Sequence, residues 1–197
     1  MKKYIVFFFA ALTTSTAFSQ GYQVTFKAPG YKSGITYLTY YMGSNFNIAD
    51  SAAIGNNGIA VFKGTNKLPP GIYAIFFPDK QRRTEFLIDK EQIISVTADT
   101  ADLVNKTVVT GSKENILYDQ YQKVAAGKGR LIQQERNAYT ASTTKEDSAL
   151  HEKNYTTYNK ELNDYREGII KNQPNSMMAA LLNAMKEPVY SSKIPVT

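Results

Sequence analysis

In the stretch TVVTGSKENILYDQYQ, residues 107–122, apolar side chains stop recurring at every second position and begin recurring at every third or fourth. Side chains alternate across a strand but return to one helix face after three or four residues, so no single element can carry both patterns. The chain must therefore leave a strand and enter a helix at Gly111-Ser112. That break divides it into a sheet-forming part followed by a helix-forming part.

The part before the break reads as strands. Tyr22, Val24, Phe26 and Ala28 alternate with Gln23, Thr25 and Lys27, the pattern of a strand with one buried face. Further runs follow at 35–42, 47–54, 59–64, 72–77, 84–88, 93–98 and 106–110. Turn signals separate them. Asn57-Gly58 suits a tight hairpin because both residues tolerate positive φ, while Pro69-Pro70-Gly71 and Pro78-Asp79 interrupt ladders and preset turns. About eight short strands with no helix between them predict an antiparallel β-sandwich or a partly open barrel.

After the break, Ser112 stands where an N-cap belongs, and Leu117, Tyr121, Val124 and Leu131 form a helical stripe. Gly127 and Gly129 weaken its middle, each by about 1 kcal/mol relative to Ala. Residues 140–147 read as a turn, with Thr143 and Glu146 spaced as a capping box. A second helix runs to about Lys171, with His151, Tyr155, Tyr158, Leu162, Tyr165 and Ile169 on one seam. Lys160–Asp164 and Glu167–Lys171 are i,i+4 pairs on its wet side. The two helices predict an antiparallel hairpin. Pro174 ends the second, and the apolar run at 175–185 predicts a short buried helix. The fold class is thus α+β, a sandwich or open barrel followed by a helical hairpin and a short helix.

The first residues carry a separate message. Lys2 and Lys3 precede an apolar run from Ile5 to Leu12, and Ala17-Phe18-Ser19 supplies small residues for cleavage. This is the layout of a secretory leader, too short to span a bilayer. The expected organisation is a leader at 1–19, a β-sandwich at 20–110, a helical hairpin plus short helix at 111–187 and a linker or truncated end at 188–197. Export normally permits disulfides, yet the chain has no cysteine. The core must therefore rest on apolar burial, and thiolate chemistry and Cys-ligated zinc are absent. Removing the leader leaves 21 basic against 17 acidic residues, a net +4 spread along the chain. A nucleic-acid surface needs clustered Lys and Arg, so no nucleic-acid partner is expected.

No catalytic, cofactor or metal set emerges. His151 is the only histidine, and its place in the seam favours a packing role. Asp50 within a strand favours a structural hydrogen bond to nearby backbone. Asp89, Glu91, Asp99 and Asp102 fall in predicted turns, where acids commonly build loops. The 14 tyrosines are the suggestive feature. Tyr37, Tyr40 and Tyr41 on one strand, with Tyr155, Tyr158 and Tyr165 on the helical seam, are the candidate interaction surface, because a ring offers apolar area with a polar tip.

The succession DSAAIGNNGIAVFKG, LPPGIYAIFF, FLIDKEQIISVTAD, VVTGSKEN and NQPNSMMAALLNAMKEP resembles the N-terminal domain of unknown function of exported thioredoxin-like proteins, the thiol–disulfide oxidoreductases of Gram-negative envelopes. Gly111-Ser112-Lys113-Glu114-Asn115 matches that family's strand-to-helix junction. In the family the redox work belongs to a later C-x-x-C domain, so no catalytic residue carries over to a chain without cysteine. The resemblance implies a periplasmic or envelope location and a non-catalytic accessory module. Its expected partner is a downstream or separate thioredoxin-like domain, or a second copy of the chain. The alternative from the tyrosines is a glycan- or peptide-binding sandwich.

Overall fold

The structure, a computed structural model, describes residues 21–43 and 45–186. The expected leader and the segment at 188–197 lie outside the described residues. Eight strands come first: β1 Tyr22–Lys27, β2 Ile35–Met42, β3 Asn45–Ala53, β4 Ile59–Gly64, β5 Gly71–Phe76, β6 Arg83–Ile88, β7 Ile93–Thr97 and β8 Val108–Thr110. They form two four-stranded sheets, ordered β4-β1-β7-β8 and β3-β2-β5-β6. The sheets pack face to face as a sandwich and do not close into a barrel.

The core follows from the alternation. Val24 and Phe26 of β1, Leu38 of β2, Phe62 of β4, Ile75 of β5, Phe86 and Ile88 of β6, and Ile94 and Val96 of β7 all point between the sheets and are buried. Phe26 and Phe77 meet edge to face at 5.1 Å. Each such side chain contributes about 1.5–3 kcal/mol when withdrawn from water, which lets a chain without disulfides hold this architecture.

Three expectations about the sheets change. The pairing is not antiparallel throughout, because β1 runs parallel to β7 from Gln23↔Ile93 to Lys27↔Thr97. Asn57-Gly58 does not close a hairpin within one sheet: β3 and β4 belong to different sheets, and the turn is a corner between them. There Asn57 Oδ1 accepts from the Ile59 N–H at 3.1 Å, and Gly58 sits at φ +74°. Finally, the run at 106–110 begins later than its composition suggests. Leu103–Lys106 forms a single helical turn, α1, capped by the Asp102 side chain on the Asn105 N–H.

The helices are α2 Lys113–Ala141, α3 Lys145–Asn172 and α4 Met177–Ala184. Gly127 and Gly129 do not interrupt α2, which runs unbroken for 29 residues. The cap of α3 is Thr144, whose hydroxyl accepts from the Asp147 N–H, rather than Thr143 with Glu146. Lys160 pairs with Asp164 at 2.6 Å as the spacing predicts, but Glu167 pairs with Lys186 instead of Lys171. α4 is buried along one side, through Met178, Ala179 and Leu182, and is exposed on the other. A second apolar cluster joins Leu87 of β6 to Leu117, Tyr118 and Tyr121 of α2, Ile169 of α3, and Met178 and Leu182 of α4. The foot of the helical hairpin is thus packed on the outer face of the second sheet.

Candidate functional site

The hairpin is fastened at the junction where the period changes. Gly111 adopts φ +95°, and a β-carbon there would stand 2.3 Å from the Ile93 carbonyl oxygen, so only glycine makes this corner. Ser112 occupies the N-cap position of α2, but its side chain makes no cap bond and its buried hydroxyl has no partner among the described residues. The next residues carry the load instead. Asn115, 1% exposed, accepts from the Leu87 N–H at 2.7 Å and donates to the Leu87 carbonyl at 2.7 Å. Its amide stands in for a neighbouring strand at the outer edge of β6. Glu114 accepts from the Met178 N–H at 3.3 Å, tying α2 to the first turn of α4.

The six candidate tyrosines do not form one surface. Tyr40 leans into the sandwich core and tilts against Tyr73 at 6.0 Å. Tyr37 lies on the opposite side of β2, with the Lys80 ammonium 5.5 Å from its ring centre. Tyr41 donates to Glu85 at 2.6 Å and stacks near Phe46 at 4.3 Å. On α3, Tyr165 joins the cluster at the hairpin foot, Tyr158 carries Lys128 over its ring at 5.4 Å, and Tyr155 is 39% exposed. Tyr40, Tyr41 and Tyr165 are absorbed into packing, Tyr37 and Tyr158 are half-buried beside lysines, and Tyr155 alone of the six is exposed.

Beyond the foot, the hairpin is held only by itself. Lys128 reaches Glu161, and His151 Nδ1 lies 2.7 Å from Glu135. The His151 contact holds the Glu135 carboxyl below its usual range. None of these bonds touches a strand. Past Ala125 on α2 and before Tyr165 on α3, no residue belongs to the buried cluster shared with the sheet. Tyr139, Leu150 and Tyr155 are exposed there, at 48%, 54% and 39%.

At the hairpin foot a groove of about 530 Å³ runs between the outer edge of β6, α1 and the first half of α2. Leu103, Val104, Val109 and Tyr121 give it an apolar wall. Its charged end is ordered by two linked sets. Glu85 accepts from Tyr41 at 2.6 Å, from Arg83 Nε at 3.1 Å and from Tyr118 at 3.4 Å. Asp79 accepts from Tyr31 at 2.6 Å and from Arg82 Nε at 2.8 Å, while Arg82 Nη2 donates to the Tyr31 hydroxyl at 2.8 Å. The Tyr31 bond, joined by the Arg82 N–H, holds the Asp79 carboxyl well below the usual carboxylate range. Burial, reinforced by Glu85, pushes the Tyr41 and Tyr118 hydroxyls up, so both stay protonated donors.

Sequence reasoning did not single out this groove, since its residues come from 81–85, 103–109 and 115–126. The only local trace of it was the Asn of the GSKEN junction. Of the other candidate acids, Asp50, Asp99 and Asp102 are engaged in hydrogen bonds, whereas the Asp89 and Glu91 carboxylates make none among the described residues. Asp50 accepts from Tyr22 at 2.7 Å and from the Ser51 N–H at 2.7 Å. Asp99 accepts from the Ala101 N–H, and Asp102 caps α1. Among the described residues no group of three or more His, Asp or Glu is placed to hold a metal ion, and no helix is long and apolar enough to cross a membrane.

Residues 22–118 match the model of a family described as a domain of unknown function (DUF4369). The match runs through all eight strands and stops inside α2 at Tyr118, just after Asn115. No curated protein and no solved structure matches the chain.

Proposed function

We propose that this chain is a non-catalytic, exported interaction module whose sandwich is a rigid platform and whose helical hairpin is a projecting arm. The observation that carries the reading is the arm itself. Its outer half, about 30 residues of paired helix, buries nothing against the sheets, yet it keeps Tyr139, Leu150 and Tyr155 in water. Holding residues in fixed conformation costs about 1–2 kcal/mol each in backbone entropy. An arm that contributes nothing to the core is best explained by what it contacts.

The partner follows from the resemblance to the N-terminal domain of exported thioredoxin-like proteins. The arm positions a thioredoxin-like domain, on the same polypeptide or a separate one, or meets a second copy of itself. The lone histidine is engaged with Glu135, Asp99 and Asp102 shape their turn, and the chain has no cysteine, which supports an accessory role over chemistry of its own.

Light scattering on residues 20–197, alone and mixed with a thioredoxin-like domain from a protein of that family, tests this. A dimer or a one-to-one complex is expected, weakened about tenfold or more by Tyr139→Ala, Leu150→Ala and Tyr155→Ala together, the loss of about 1.4 kcal/mol of contact. A monomer indifferent to the thioredoxin-like domain contradicts the proposal.

A further inference from the structure

The two sheets end on β4, β8, β3 and β6, and the chain treats these edges differently. β8 is three residues long and leads on into α2. β6 has the Asn115 amide on Leu87, with α1 and α2 alongside. β4 carries Lys63, a common guard against edge pairing. β3 runs for nine residues, Asn45–Ala53, with no Lys, Arg or Pro. Its one charge, Asp50, is engaged by the Tyr22 hydroxyl at 2.7 Å. Natural edges are blunted by shortness, lysines, prolines, bulges or covering elements, because open N–H and C=O groups recruit another strand. β3 has a bulge at Ala49, but the register is regular from Asn45 to Ile48. That first part of the strand is unguarded.

The register also fixes which backbone groups face outward. Met42 pairs with Asn45 across a two-residue connection in which Gly43 has φ +62°, and such a closing pair is hydrogen-bonded. Bonded and non-bonded pairs alternate along an antiparallel ladder. Asn45 and Asn47 therefore bond β2, while the N–H and carbonyl groups of Phe46 and Ile48 face away from it. Among the described strands β3 pairs only with β2. Phe46 and Ile48 are also the residues whose apolar side chains stay exposed on the outer face of this sheet, at 38% and 66%. Phe46 is fixed there against Tyr41 at 4.3 Å and Phe76 at 5.1 Å. Open backbone and open apolar surface thus coincide at the same two positions.

The spacing of those positions selects the partner, because the segment is complementary to itself. Turned over by a two-fold axis through Asn47, it meets its own copy with Phe46 opposite Ile48 and Ile48 opposite Phe46. Both become hydrogen-bonded pairs, about four main-chain bonds in all, and each apolar side chain falls beside the other. Asn47 stands opposite itself in a non-bonded pair, where its amide both donates and accepts. We propose that β3 pairs in this way with β3 of a second copy of the chain, antiparallel, joining the two β3-β2-β5-β6 sheets edge to edge. Such a contact uses the same patch on both copies and closes on itself. The far edges of the joined sheet are the two β6 strands, each flanked by α1 and α2, so growth stops at two copies. The inference is independent of the arm, whose Tyr139, Leu150 and Tyr155 belong to α2 and α3.

The test uses residues 20–197 carrying Tyr139→Ala, Leu150→Ala and Tyr155→Ala, so that contact through the arm cannot imitate the result. Sedimentation velocity over a series of protein concentrations should still show a monomer–dimer equilibrium. Ile48→Lys puts an edge charge at an exposed position and should raise the dimer dissociation constant about tenfold or more. The absence of native cysteine permits a second readout that leaves Ile48 in place. In the two-fold register Asn47 and its counterpart have α-carbons about 4.5 Å apart, a span that a disulfide bridges. Asn47→Cys should therefore give a covalent dimer under mild oxidation. Ser51→Cys, exposed and further along β3, would stand about 25 Å from its counterpart and should not. A monomer throughout the concentration series overturns the inference. So does a dimer indifferent to Ile48→Lys, or cross-linking that is equal at positions 47 and 51.

Discussion

At the scale of single residues, the sharpest contrast lies within the five residues that join sheet to helix. Asn115 is buried and bonded twice to one backbone residue of β6, so Asn115→Ala strands a donor and an acceptor away from water. Each such group costs about 1–3 kcal/mol, and a loss of about 2–4 kcal/mol in urea unfolding is expected. Ser112 sits where capping rules place the critical side chain, yet it makes no cap bond. Ser112→Ala is therefore expected to shift stability by less than about 0.5 kcal/mol, against the roughly 1 kcal/mol usual at an N-cap. If the two substitutions cost the same, the junction is not held as described. The sequence pointed to the junction but not to this division of labour. Asn115's partner lies 28 residues earlier, and no local pattern reports a bond of that range.

Asp79 gives the residue scale a pH signature. Its carboxyl is held low in the folded chain, first by the Tyr31 hydroxyl. A lowered folded value means the ionised form is favoured by folding. Its contribution is complete above the unfolded aspartate value of about 3.9 and is lost as pH falls from there through the folded value. Asp79→Asn should lower stability at neutral pH and leave a shallower acid limb below about pH 4, read as melting temperature against pH. Acid limbs of equal slope in the two proteins would contradict the assignment. Because Asp79 and Arg82 are partly solvated, the difference is expected to shrink in high salt.

At the scale of elements, the longer strands and helices were legible because each is amphipathic with a clear period, whereas the single turn of α1 is too short to show one. Their partners were not. The alternation of Gln23 to Lys27 fits an antiparallel or a parallel neighbour equally well, and only the fold reveals β7 alongside β1. The α3 cap shows a finer limit. Thr143 and Thr144 are each followed three residues later by an acid, Glu146 and Asp147, so local spacing cannot choose between them, and the backbone entry chooses Thr144. Glu167 likewise had Lys171 within helical reach, but α4 brings Lys186 to 2.8 Å. The candidate tyrosines were visible as a count, whereas their sorting into core, clamp and surface depends on which face of β2 or α3 each occupies.

The glycines inside α2 give a prediction of opposite sign. Added β-carbons at Gly127 and Gly129 meet nothing within 4 Å, and neither residue has positive φ. Gly127→Ala and Gly129→Ala should each stabilise the chain by about 0.5–1 kcal/mol, since alanine loses less backbone entropy on entering a helix. Chemical denaturation measures this directly. A loss of stability at either site would contradict an open, unstrained helical environment there.

At the scale of the whole molecule, two apolar cores are joined by a short hinge-free segment. One core lies between the sheets, and the other lies between the second sheet and the foot of the hairpin. Gly111 turns the chain, Asn115 locks α2 to β6, and Glu114 reaches α4. The arm is consequently mounted on the sandwich rather than tethered to it, and its tip has one direction in space. That rigidity is what the proposed positioning role requires of a helical hairpin. Because the chain has no cysteine, spin labels attach only where cysteines are introduced. Lys63→Cys on β4 and Thr143→Cys at the arm tip, labelled and measured by double electron–electron resonance, should give one narrow distance distribution that broadens when Asn115→Ala is added. A broad or two-peaked distribution in the doubly labelled chain with Asn115 intact would contradict the account.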